Sequence, residues 1–293
     1  MTLQMLEYFI ALVEKGSFTD AANACYVSQP ALSRAIANLE KELGCAVVER
    51  GKTVVATAAG EVLRIEAERI LGQIDVMVER VQRAKQGYRG TMVLGYVAYG
   101  MLRAFRQNAA GALDAFKVEG FWMETVYDST PEIKKRLISG ELDAVILPEI
   151  CTWDLPRCFT KPVYRQKNMV MIPRGHLCFE SKKVSMEQLR ESKFVFFSPA
   201  DMPMVLSKHV NMCRDAGFSP DIVGYGRKIG DVVDLIHQYG AVSIMTDAFD
   251  YAESDDLRLV EIEDMRSSML VLAARKDCVN PAVQWLFEKL GDL

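Results

Sequence analysis

The chain has 293 residues, 50% of them hydrophobic and 25% charged, with a formal net charge of −4. This composition is typical of a globular protein and excludes disordered, collagen-like and membrane-bundle classes. No apolar run approaches the ~18 residues that span a bilayer, and Glu7 and Glu14 stand where a secretory signal would be basic and then apolar. We therefore expect a cytoplasmic protein of roughly two domains, without a membrane partner. The mild acidity gives no sign of a nucleic-acid partner, because non-specific binders are normally basic.

Seven cysteines form no CxxC pair, and three histidines lie far apart in the sequence. Metal-ligand spacing is therefore absent, and we predict no metal ion and no cofactor. An odd number of cysteines in a chain without a signal predicts reduced thiols. Cys151 and Cys158 are close enough in sequence for a redox disulfide, but burial as small hydrophobes is the more common role of such residues.

The N-terminal pattern predicts three helices in close succession. Gly16 ends the first helix, Ser17 and Asp20 form an N-cap pair for a short second helix, and Ser28 begins a third helix that ends before Gly44. The apolar stripe of the first helix consists of Leu3, Leu6, Phe9, Ile10 and Val13, and that of the third consists of Leu32, Ile36, Leu39 and Leu43.

This succession is a helix-turn-helix arrangement, in which the start of the last helix enters the DNA major groove. The third helix turns Gln29, Ser33, Arg34, Asn38 and Lys41 outward. Gln pairs well with adenine and Arg with guanine or phosphate, which fits that use. A helical hairpin with a solvated face explains the same pattern. Residues 46–50 and 53–56 predict two short strands around Gly51 and Lys52, a hairpin of the kind called a wing.

The N-terminal sixty residues resemble the signature of the LysR-type transcriptional regulators. The matching positions are Ala21-Ala22, the run from Val27 to Ile36, Leu39-Glu40, Leu43-Gly44, Glu49-Arg50 and Thr57-x-x-Gly60. The resemblance implies a winged helix-turn-helix with Gln29, Pro30, Ser33 and Arg34 at double-stranded promoter DNA. The full set of predicted DNA-binding residues adds Ser28, Asn38, Arg50 and Lys52. The sequence departs from the family at Val47-Val48, where Leu-Phe is usual, at Ala56, where Leu is usual, and at the wing tip, where Lys52 is the lone basic residue.

Residues 59–88 predict a long helix with an unbroken heptad seam over three repeats. A core helix rarely maintains such a seam for so long, so the pattern favours a coiled coil between two copies of the chain. The resemblance agrees, because the linker helix of the family pairs two subunits. The seam residues are Leu63, Ala67, Ile70, Ile74, Met77, Val81 and Ala84, and we expect a dimer or tetramer.

The remainder of the chain alternates strands and helices and predicts an α/β fold. Its two similar halves resemble the two-lobed effector domain of the same family and of periplasmic solute-binding proteins. The predicted domains are a winged helix-turn-helix (1–58), a linker helix (59–88) and an effector domain (89–293), with lobe 1 at 89–161 and 267–293 and lobe 2 at 162–266.

Ligands of such parallel sheets lie beyond the carboxyl ends of the strands, where helices begin. Thr130 precedes Pro131 and is explained equally well as a helix N-cap. The resemblance adds that hydroxyls in the Ser129-Thr130 segment often hold an effector's carboxylate. Methionines and aromatic residues nearby favour a largely apolar or aromatic effector with one acidic group. The candidate effector-binding residues are Val97, Ala98, Tyr99, Met101, Ser129, Thr130, Pro148, Ser198, Met202 and Thr246.

No motif of nucleophilic, metal-dependent or nucleotide-dependent catalysis is present in the sequence. The sequence therefore predicts a transcriptional regulator switched by a small-molecule effector between the lobes, with RNA polymerase as a further candidate partner. The alternative is a two-lobed binding protein or enzyme with a helical N-terminal extension. The winged helix-turn-helix domain is called the head. Residues 1–60 hold five basic and six acidic side chains, so one head should bind DNA weakly, and useful affinity should come from several linked heads.

Overall fold

A computed structural model describes residues 1–155, 157–249, 255–263 and 267–291. The chain divides into two compact units, Met1–Gln82 with Ser139–Glu141, and Arg83–Ile138 with Leu142–Leu293. Within the described ranges, none of the helices combines the length and apolar character that crossing a bilayer requires.

The first unit begins with three helices packed around one apolar core. The helices are α1 (Leu3–Lys15), α2 (Phe18–Ala24) and α3 (Gln29–Leu43), and the first and third end at Gly16 and Gly44 with positive φ, which glycine adopts without strain. Leu12 and Leu32 are among the side chains with no exposure to solvent. The predicted stripes are correct at their centres, whereas Leu3 and Leu43 at the outer ends of α1 and α3 are exposed because no element covers the helix ends.

A two-stranded wing and a long helix complete the first unit. Strands β1 (Val48–Glu49) and β2 (Val55–Ala56) pair antiparallel, and α4 spans Ala58–Lys85. The predicted wing strands are longer than those observed, because only two residue pairs form the ladder.

Gly60 allows the start of α4 to lie against the wing. A Cβ atom at this position would lie 2.0 Å from the Val47 carbonyl oxygen. Thr57 holds the same junction: its hydroxyl donates to the Ala46 carbonyl oxygen over 2.9 Å and accepts from the Gly60 amide over 3.0 Å.

Lobe 1 of the second unit is built from β3 (Gly90–Tyr96), α5 (Tyr99–Asn108), α6 (Ala110–Val118), β4 (Phe121–Tyr127), α7 (Thr130–Ser139), β5 (Ala144–Pro148), β6 (Cys158–Gln166), β13 (Ser268–Arg275) and α10 (Pro281–Lys289). Its strands form a mixed sheet with the order β4-β3-β5-β13-β6. Strands β3, β4 and β5 are parallel, so their carboxyl ends lie at one edge.

Lobe 2 is built from β7 (Asn168–Pro173), β8 (Lys183–Val184), β9 (Lys193–Phe197), α8 (Pro203–Asp215), β10 (Asp221–Gly226), α9 (Ile229–Tyr239), β11 (Ser243–Thr246) and β12 (Leu257–Ile262). It contains a sheet of order β11-β7-β12-β8 and the parallel pair β9 and β10. A bridge between Phe194 and Val242 joins the two sets of strands.

One sequence prediction for this unit needs correction. The lobe boundary at residues 161 and 162 is wrong, because β6 continues to Gln166 while paired with β13 of lobe 1, so the chain enters lobe 2 between Gln166 and Asn168. Hydrophobic periodicity did not identify the full length of β6, because strand partners are chosen by non-local contacts.

Candidate functional site

One face of α3 is buried in the head and the opposite face is open to solvent. Leu32, Ile36 and Leu39 are fully buried. Ser33 is partly exposed, and the other predicted DNA-binding residues of the helix and its cap are exposed: Ser28, Gln29, Pro30, Arg34 and Asn38. The predicted polar residues thus lie together on one accessible surface of the helix.

The start of α3 leaves hydrogen-bonding groups unused. Ser28 occupies the N-cap position and its carbonyl oxygen accepts from the Ala31 amide over 3.0 Å, but its hydroxyl makes no capping hydrogen bond. Ser28 is thus the N-cap residue, as the sequence predicts, while its hydroxyl remains available to another partner. Tyr26, in the turn before it, has a φ of 55° and is 96% exposed, which sequence reasoning did not single out.

The wing is held by a carboxylate from α3. Glu40 accepts from the Val47 amide over 3.0 Å and from the Val48 amide over 3.4 Å, and its other oxygen accepts from the Arg50 guanidinium over 3.0 Å. Arg50 also lies over the Phe18 ring, 5.7 Å from its centroid. Arg50 therefore fixes the wing to the helices, whereas Lys52 at the tip is exposed and forms no ion pair with the described residues.

The predicted heptad seam of α4 divides into two halves. Ala67 is buried, and Leu63 and Leu71 pack against the core of the head. Further along the helix, Met77 and Val81 are 55% and 65% exposed, and Ile70 is also exposed. The first half of the seam thus belongs to the head of its own chain, while the second half is an uncovered apolar face.

In the second unit, a cleft between the lobes lies at the carboxyl edge of the lobe 1 sheet. The cavity within it has a volume of about 20 Å³, which is room for one water molecule. The chain passes between the lobes at the end of β6 and the start of β13, and these two strands are called the crossing strands. Lobe 1, including the crossing strands, contributes Met101, Pro148, Ile150, Gln166 and Ser268. Lobe 2 contributes Met202, Val205, Lys208, His209, Met245, Thr246 and Phe249.

Hydrogen bonds tie the crossing strands to lobe 2. Gln166 donates to the Thr246 hydroxyl over 2.9 Å, and Ser268 donates to the Gln166 side-chain oxygen over 3.4 Å. Beside them, Tyr164 donates to the Asp247 carboxylate over 2.7 Å. Burial, and then this hydrogen bond, raise the pKa of Tyr164 to about 12, so the phenol stays protonated at neutral pH.

Helix α8 places the side chains of Lys208 and His209 at the cleft. Lys208 is half-buried and donates to the Asn168 side-chain oxygen over 3.0 Å. Burial lowers the pKa of its ammonium from the ordinary value. Burial, and then the charge of Lys208, lower the pKa of His209 to about 3, so this imidazole is neutral at physiological pH.

Some of the predicted effector-binding residues line the cavity, together with residues that were not predicted. Met101, Pro148, Met202 and Thr246 line it. The predicted Thr130 does not, and its hydroxyl is buried without a partner among the described residues, so it does not cap α7 as expected. Sequence reasoning missed Gln166, Lys208, His209 and Ser268, because nothing in α8 or the crossing strands marks them locally. The other predicted residues outside the cavity lining are Val97, Ala98, Tyr99, Ser129 and Ser198.

A larger groove, of about 470 Å³, lies on the outside of lobe 1. It is lined by α6 and by Phe121, Trp122 and Met123 at the amino end of β4. Ligands of parallel sheets bind beyond the carboxyl ends of the strands. The cleft between the lobes, although smaller, is therefore the better candidate for a ligand site.

The sheet register separates the two cysteines that sequence spacing allowed as a redox pair. Cys158 faces Arg275, whereas Cys151 follows the end of β5, where Pro148 faces Leu270. Five residues of strand span about 17 Å, but a disulfide needs Cα atoms within about 7 Å. Burial also raises the pKa of the Cys151 thiol to about 11. Among the described residues, no cluster of three His, Cys, Asp or Glu side chains could hold a metal ion.

A winged helix-turn-helix, a long helix with an uncovered apolar face and a two-lobed α/β unit together define a ligand-responsive DNA-binding protein. Residues 3–61 match the model of the bacterial regulatory helix-turn-helix proteins of the lysR family, and residues 123–293 match the LysR substrate binding domain. The chain belongs to the LysR family of DNA-binding transcriptional regulators and carries the effector-binding domain of that family.

Transcriptional regulators of two bacteria align over most of the chain. The transcriptional regulator AlsR of Bacillus subtilis is 26% identical over 290 residues, covering 97% of this chain and 93% of AlsR. BenM of Acinetobacter baylyi is 26% identical over 251 residues, covering 84% of this chain and 80% of BenM.

Solved structures show the same fold. The crystal structure of CbnR, a LysR family transcriptional regulator, has a TM-score of 0.76 at 21% identity and covers 99% of this chain and 98% of CbnR. Full-length CbnR in complex with its target DNA also has a TM-score of 0.76 at 21% identity, with 98% of each chain covered.

Proposed function

We propose that this regulator reads promoter DNA with the exposed surface of α3 and with the wing tip. The observation that supports it most is the division of α3 into a fully buried apolar face and an exposed polar face. The side chains assigned to bases or phosphates are Ser28, Gln29, Pro30, Ser33, Arg34, Asn38 and Lys52, with Arg50 acting mainly through the position of the wing.

The test uses DNA that the full-length protein selects from a random-sequence pool. Arg34→Ala and Gln29→Ala should each weaken retention of the selected site by about 5- to 150-fold per head, since one good base contact contributes about 1–3 kcal/mol. Arg106→Ala, which removes an exposed arginine from the second unit, is the charge-matched control. Wild-type footprints from both head variants would reject this use of α3.

Two copies of the chain are proposed to pair through the uncovered half of the α4 seam. Replacing both Ile70 and Ile74 by Lys should yield monomers in light scattering, because four charges would enter one apolar interface of the dimer. Val62 and Ile65 are exposed apolar residues on a different face of the same helix. Their replacement by Lys should leave the oligomer intact, and the opposite pattern would place the interface on that other face.

A small molecule bound between the lobes is proposed to switch the regulator. It would bind the two lobes differently in their open and closed arrangements and so shift their populations, which changes the spacing of the paired heads on DNA. The protein is proposed to act in the cytoplasm by binding alone, without catalysis. Its named relatives are transcriptional regulators, which supports this.

A further inference from the structure

We propose that the effector of this regulator is a small monocarboxylate with an apolar body, and that Lys208 of α8 is the residue that binds its carboxylate. This inference rests on the proposed use of the cleft as the effector site, and it goes further by naming the chemical class of ligand and the charged anchor.

The described lining of the cleft has a net positive charge. Among the described residues lining the cavity, Lys208 is the one cationic side chain, and none is Asp or Glu. Its partner is the neutral amide of Asn168, at 3.0 Å, and it forms no ion pair with any described residue. An ammonium has three N–H donors, so two remain for another acceptor.

Burial strengthens the attraction of Lys208 for an anion, since no described carboxylate neutralises its charge. Lys208 is half-buried beside Met202 and Phe249, and its pKa is lowered because the charged form is poorly solvated there. An anion within hydrogen-bond distance would restore the lost solvation, and such a pair is stronger at low dielectric than in water. The adjacent His209 is neutral and adds no second charge. One fixed positive charge matches a monoanion better than a dianion.

The remaining lining determines the rest of the ligand. Thr246 already accepts a hydrogen bond from Gln166, so its own hydroxyl proton can be donated to a carboxylate oxygen. Most of the other side chains are apolar, and three of them are methionines: Met101, Met202 and Met245. A cavity of about 20 Å³ holds only one water molecule. A carboxylate with a short carbon chain therefore enters only if the flexible thioethers repack or the lobes separate.

The test follows methionine methyl signals of the full-length protein by NMR. The ligands are straight-chain monocarboxylates from acetate to hexanoate and their uncharged primary amides. Carboxylates should shift the signals of Met101, Met202 and Met245. Lys208→Met should weaken carboxylate binding by about 10- to 100-fold and leave amide binding unchanged, as expected for loss of a charge-assisted hydrogen bond. Lys208→Arg should retain most of the affinity, and Lys182→Met, at an exposed lysine, is the matched control.

Each other outcome overturns a defined part of the inference. Equal binding of carboxylates and amides in the cleft, or equal carboxylate binding by Lys208→Met and the wild type, would retain the cleft as the ligand site and reject Lys208 as the anchor. Carboxylates that shift only methionines outside the cleft would reject the proposed effector site itself. No shift with any carboxylate at tens of millimolar would reject the monocarboxylate class, while the α3 substitutions test DNA binding independently.

Discussion

Replacement of Gly60 by alanine should destabilise the head, whereas the same replacement elsewhere in a helix usually increases stability. Alanine in a helix interior is favoured over glycine by about 1 kcal/mol. At Gly60, however, the new Cβ atom would lie 2.0 Å from the Val47 carbonyl oxygen and 3.0 Å from its carbon, both parts of a backbone that cannot rotate away. Relief requires the start of α4 and the wing to separate by about 1 Å.

The hydrogen bonds of this junction determine how much unfolding free energy Gly60→Ala should cost. The Thr57 amide donates to the Val47 carbonyl over 3.1 Å, and the Thr57 hydroxyl makes two further bonds, with Ala46 and with the Gly60 amide. A hydrogen bond contributes about 0.5–1.5 kcal/mol, so loss of all three costs roughly 1.5–4.5 kcal/mol. Subtracting the helix preference for alanine of about 1 kcal/mol leaves an expected loss of unfolding free energy of the head of about 0.5–3.5 kcal/mol.

Tryptophan fluorescence follows the second unit alone, because Trp122, Trp153 and Trp285 all lie in it, whereas circular dichroism follows the helices of both units. The unfolding transition of the head is therefore the one that circular dichroism shows and fluorescence does not. Gly60→Ala should lower the melting temperature of that transition by roughly 2–28 °C for a domain of this size and leave the fluorescence transition unchanged. Gly111→Ala is the control, since no described atom outside the neighbouring residues and backbone of its own helix lies within 4 Å of its Cβ position, and α6 should gain stability. A head that melts at or above the wild-type temperature in Gly60→Ala would refute the reasoning.

Glu40→Ala should speed deuterium exchange of the wing amides in mass spectrometry, because two amides and Arg50 lose their acceptor; unchanged exchange would contradict this role of Glu40. His209 has a pKa of about 3 in the folded chain and an ordinary value near 6.5 when unfolded, so the unfolded state binds the additional proton. Unfolding free energy should fall by about 2 kcal/mol from pH 7 to pH 5 through this group. His209→Gln should remove this loss, whereas exposed His237→Gln should not. Oxidation with diamide should leave Cys151 and Cys158 unlinked in peptide mapping, and a disulfide between them would show the sheet register to be wrong.

The sequence by itself determined the features that depend on local periodicity. The core positions of α1 and α3, the caps at Gly16 and Gly44, and the exposed side of α3 all follow from residue spacing of three or four and from glycine at positive φ. The dense motif of the first sixty residues also indicated the family correctly. These signals are contained within single helices or adjacent turns, so no knowledge of distant contacts is required to recognise them.

Tertiary structure alone decided which side chains meet across long sequence separations. Glu40 pairs with Arg50 and removes it from the free cations of the wing, and the seam of α4 is divided because its first half packs against the head. Lys208 lies in the middle of a helix with no motif around it, and it enters the cleft only because α8 packs at the carboxyl edge of the other lobe's sheet. Long-range packing determines these partners, and the residue pattern near each position carries no record of it.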